Sequence, residues 1–134
     1  VQLELGSVAT NFEHRSYGEE LARCLRYFYQ CCNGASQEIA SGWYYNSTMI
    51  AMIVEMPVPM RSNPTVAVSG TADQFAIYRD GAADAFTALT RDNGSPLNTR
   101  VSIYNNNQVS GTAGWAGDVK CVSANGSLTF DAEL

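Results

Sequence analysis

This 134-residue chain has one histidine, few basic residues and no long apolar run, and each scarcity removes a class of function. The histidine, His14, stands in a polar stretch, and nothing marks a partner serine or an orienting carboxylate, so Ser-His acyl-transfer chemistry is not expected. Eight basic residues face thirteen acidic ones, and the basic ones are scattered. The net charge of -5 argues against a nucleic-acid partner, because binding by counterion release needs a positive surface. Membrane insertion is not expected either: the most hydrophobic piece, Thr48 to Val54, is strand-sized, far short of the roughly 18 residues of a spanning helix. A signal peptide is not expected in the opening residues. Without an Asp-x-Asp-x-Asp-Gly loop or a phosphate-cradling glycine loop, no metal, cofactor or catalytic residue is assigned.

The chain has four cysteines. Cys24, Cys31, Cys32 and Cys121 have the spacing of neither a zinc ribbon nor a redox pair, and neighbouring Cys31 and Cys32 cannot easily bridge each other. They are expected as small reduced core residues under a helix. A bond from Cys121 to Cys31 or Cys32 stays open, because only the fold decides whether their Cα atoms come within range.

What is present points to one packed domain, with 46% hydrophobic and 16% charged residues. Its strongest local signal is FEHRSYGEELARCLRYFYQ, Phe12 to Gln30. Ser16 and Glu19 form a capping box, Glu19 and Glu20 place negative charge in the first turn, and Arg23 and Arg26 follow. The spacing predicts an amphipathic helix over about 17–32, ended by Asn33 and Gly34. Leu21, Cys24, Leu25, Phe28 and Cys32 recur at steps of three and four and line its assembly face. A helix of about 15 residues is marginal in water, so that face must lie on a sheet or a partner helix.

The remainder carries strand signals: Trp43 to Val54, Thr65 to Ser69, Phe75 to Tyr78, Arg100 to Tyr104, Val109 to Ala113, Gly117 to Ser123 and Leu128 to Glu133, with Phe86 to Thr90 a further candidate. Pro57 and Pro59 give Met56 to Met60 an extended path outside any central strand. The expected fold class is α+β, mostly β: the helix packed on an antiparallel β-sandwich of roughly six to eight short strands. Residues 1–15 are expected as an extended lead-in continuing from an upstream domain, with 16–134 forming the helix and sandwich.

Candidate sites are few. Asp80 and Asp84 flank a Gly-Ala-Ala turn, where aspartate commonly bends backbone, and a glycosidase pair there would need two carboxylates facing across a groove. Trp43, Tyr44, Tyr45, Tyr104 and Trp115 offer faces for sugars, but successive strand residues point to opposite sides, so part of Trp43 to Tyr45 belongs to the core. Asn105, Asn106 and Asn107 read as an exposed polar tip, and Trp115 lies near two glycines. These four residues are the binding candidates.

Several of these segments carry a resemblance. Gln2 to Ser7, Phe12 to Ser16 and Arg26 to Gln30, followed by Met60, Arg61 and Pro64 in PMRSNPTV, make the chain similar to the C-terminal module of bacteriophage virion appendage proteins, such as tail-fibre or tail-spike-like tips. The matched segments span about a third of the chain and end near Val66. The resemblance implies a non-enzymatic virion structural protein, assembled in the bacterial host cytoplasm, forming a homotrimer, contacting other virion proteins and engaging a host-surface glycan. Two other readings accompany it: a capsid decoration (cement) protein, and a carbohydrate-binding receptor-recognition module.

Overall fold

The computed structural model describes residues 14–70, 72–93 and 98–133. The expected lead-in therefore lies outside the described residues up to position 13. Among the described residues, one helix, α1 (Tyr17–Leu25), precedes ten strands: β1 (Phe28–Asn33), β2 (Gln37–Asn46), β3 (Met49–Glu55), β4 (Thr65–Ser69), β5 (Phe75–Arg79), β6 (Ala82–Phe86), β7 (Thr90–Arg91), β8 (Arg100–Asn106), β9 (Ala116–Cys121) and β10 (Ser127–Asp131). The fold is mostly β, as expected, with more strands than expected. They form two antiparallel sheets, a three-stranded one in the order β1-β10-β4 and a seven-stranded one in the order β6-β5-β9-β2-β3-β8-β7.

Alternation sets the core. In β3, Ile50, Met52 and Val54 face inward while Ala51, Ile53 and Glu55 face outward, and β8 repeats the pattern with Val101 and Ile103 inside. From the smaller sheet Cys32, Leu128 and Phe130 close the interior, together with Phe75, Ile77, Phe86, Val119 and Cys121 of the larger one. Phe75 and Phe86 meet directly at a ring separation of 5.8 Å.

Turn chemistry explains how the long β signal from Trp43 to Val54 is divided. The Asn46 side chain accepts the Thr48 amide at 2.9 Å, which folds the segment into the β2–β3 hairpin instead of one strand. At the β5–β6 hairpin, Asp80 (φ 45°) and Gly81 (φ 73°) both occupy the left-handed region, as an Asp-Gly turn of the type I′ kind requires.

The helix begins as expected and ends early. Ser16 Oγ accepts the Glu19 amide at 3.3 Å, and the Glu19 carboxylate accepts the Ser16 amide at 3.1 Å, completing the capping box. The end at Leu25, rather than near Cys32, has a long-range cause. The carbonyls of Arg26 and Tyr27 accept the amides of Arg61 and Ala132, each at 2.7 Å, so they cannot serve a further helical turn. Beyond them β1 pairs with β10, and Tyr29 stacks on Phe130 with ring centroids 6.2 Å apart. Phe28 and Cys32 therefore belong to a strand and not to a helical face, with Cys32 in the core and Phe28 47% exposed. No helix residue is buried: Leu21 and Cys24 are exposed and Leu25 is half-buried. Among the described residues, nothing buries the stripe that was expected to lie on a sheet or a partner helix, and Cys24 is not a core thiol.

Candidate functional site

The binding candidates separate. β8 alternates through Asn105, which places it inward at 1% exposure, beneath the sheet rather than at a polar tip. Its amide donates to the Ala88 carbonyl at 2.7 Å and to Gln108 Oε1 at 2.6 Å, while its own Oδ1 has no partner. Asn106 and Asn107 are exposed, and Asn107 turns the chain with φ 67°. The three asparagines thus form no common surface.

Trp115 is exposed. The residues between β8 and β9 run beside the β2–β3 hairpin, where Gly111 and Gly114 donate their amides to the Ser47 and Tyr44 carbonyls at 3.0 and 2.8 Å. Gly111 is needed there, since a Cβ would stand 2.3 Å from the Tyr44 ring. The Tyr44 amide donates to the Trp115 carbonyl at 2.8 Å, and the Trp115 amide donates to the Thr112 carbonyl at 3.1 Å, so the backbone under the indole is fixed from both sides.

Behind that indole lies a polar cluster the sequence reading missed. Arg79 places its guanidinium 4.6 Å from the Trp115 ring centroid and 4.9 Å from that of Tyr44. Its Nη2 donates to Asp84 at 2.9 Å and to the Ser110 carbonyl at 2.7 Å, which ties the segment between β8 and β9 to the β5–β6 hairpin. The Tyr44 hydroxyl donates a short hydrogen bond to the same Asp84 carboxylate. Arg79 Nε is buried without an acceptor. Burial pushes the Asp84 carboxyl up, but the Tyr44 hydroxyl and the Arg79 guanidinium outweigh it and hold the carboxyl below its ordinary range. Burial and the bond to Asp84 raise the Tyr44 hydroxyl.

The signal for this cluster was present. An Asp-Gly hairpin turn pairs Arg79 with Ala82 and Ile77 with Asp84, so positions 79 and 84 share the inner face as diagonal neighbours. That commits Asp84 to Arg79 and Tyr44, while Asp80 stands in the turn. Arg79, Asp80, Trp115 and Ala116 line an open cavity of about 210 Å³ at the surface of this cluster.

The other expected groups are placed elsewhere. Trp43 and Tyr45 point from the outer face of β2 while Tyr44 points in, and Trp43 has Ala51 and Ala116 as its cross-strand neighbours. Cys32 and Cys121 are buried free thiols, and burial together with the nearby Cys121 pushes the Cys32 thiol up to about 12. Among the described residues, no three His, Cys, Asp or Glu side chains are grouped to hold a metal ion, and no helix is long and apolar enough to cross a membrane. Compared with family models, curated proteins and solved structures, the chain matches none.

Proposed function

We propose that this chain is a non-enzymatic structural domain of a bacteriophage virion, placed at the distal end of a fibre or similar appendage, where it self-associates as a trimer and contributes to host-surface attachment. The observation that carries the reading is the helix α1, whose N-terminus is satisfied by a capping box while Leu21 and Cys24 stay exposed and Leu25 only half-buried. A helix of nine residues is well below the roughly 12–15 at which isolated helices become even marginal, so its persistence calls for a covering surface. Three copies meeting around such helices would supply one, in line with the closed symmetry usual for homo-oligomers. The phage-appendage resemblance of the segments around the helix supports the same placement.

Light scattering across a dilution series tests the reading. The expected mass is three times the 14.5 kDa of the chain, reduced to one by Leu21→Glu with Leu25→Glu while the β signature in circular dichroism stays unchanged. A wild-type monomer at micromolar concentration would contradict it.

A further inference from the structure

We infer that the cavity at Trp115 and Asp80 is a subsite for a single uncharged sugar ring. The inference deepens the attachment half of the function proposed above and rests on it for its biological meaning. Trp115 is 45% exposed, yet its backbone is fixed by two hydrogen bonds and its ring is braced by the Arg79 guanidinium. An aromatic plane held this way offers contact area at little entropic cost. Beside it stands the exposed Asp80, and the open cavity of about 210 Å³ between them has room for one ring rather than a chain of them.

A pyranose matches these groups. Its apolar C–H face lies against the negative face of an aromatic ring, and the hydroxyls around its rim donate to a carboxylate. Charge selects among sugars. The one cation at the site, Arg79, is already matched by Asp84 at 2.9 Å, so the unmatched charge at the rim is that of Asp80. With a net charge of -5 over the chain, a carboxylated or sulfated sugar is disfavoured. Asn106 and Asn107, exposed on the same protein but not lining this cavity, take no part.

The experiment titrates the full chain with methyl glycosides of glucose, galactose, mannose and N-acetylglucosamine, and with methyl glucuronide as the charged comparator. Saturation-transfer NMR and tryptophan fluorescence report binding. At least one uncharged glycoside is expected to bind, with Trp115→Ala weakening it tenfold or more, Asp80→Asn several-fold, and Asn106→Ala leaving it unchanged. Asparagine tolerates the left-handed backbone at position 80, so Asp80→Asn keeps the hairpin and remains decisive if Trp115→Ala disturbs folding. No binding of any uncharged glycoside, binding that survives both variants, or tighter binding of the glucuronide would each overturn the assignment. Light scattering on the same samples separates the two proposals: a trimer that binds no sugar overturns only the subsite, and a monomer that binds sugar overturns only the assembly.

Discussion

β10 lies between two strands with Leu128 and Phe130 fully buried, whereas α1 has its first turn capped and none of its residues buried. Both satisfy their backbone groups, but by different means. β10 depends on partners about sixty and a hundred positions away in sequence, Val66 and Tyr29 opposite Phe130 among them. The helix depends on residues three apart, Ser16 and Glu19. The difference teaches that stability here comes from long-range pairing around a common core, and that a locally well-specified element contributes little until something covers it.

Substitutions sharpen that contrast, beginning with the largest effect. Phe130→Ala is expected to cost about 3–5 kcal/mol in denaturant unfolding, through lost burial and the cavity left behind, while Leu21→Ala in the dissociated chain should change stability by less than about 0.5 kcal/mol. Comparable costs at the two positions would show that the helix is part of the core.

A smaller effect, about 1–2 kcal/mol, is expected for Tyr44→Phe, which removes a donor to the Asp84 carboxylate without leaving a cavity. It also has a pH signature. The folded carboxyl of Asp84 titrates below its unfolded value of about 3.9, so the folded state binds fewer protons, and its contribution to stability is present above that pH and lost as pH falls through the folded value. Tyr44→Phe should therefore lower stability near neutrality and flatten the decline of stability below about pH 4. An unchanged acid limb would contradict the assignment of this cluster. Ser16→Ala is expected to cost about 1 kcal/mol within the helix alone, visible as faster amide exchange in α1 with little change in the global unfolding midpoint.

The same division between local and distant causes explains what was legible in the sequence. The capping box and the turn at Asp80 and Gly81 depend on neighbours along the chain, and both could be read there. The helix end could not, because Arg61 and Ala132 supply the amides that take the Arg26 and Tyr27 carbonyls. Asn105 was misplaced because its polarity was weighed above the inward period of Val101 and Ile103. The cavity beside Trp115 could not be read, because it exists only once Arg79, Asp84 and Tyr44 converge from β5, β6 and β2.

Hydrogen exchange of α1 and β10 amides, followed in one sample over a range of protein concentrations, tests most directly whether the helix finds its cover in other copies of the chain. The prediction is rapid exchange in α1 at high dilution, protection that grows as oligomers form, and constant strong protection in β10. Protection of α1 that does not change with concentration, or α1 amides still unprotected in an assembled trimer, would contradict it.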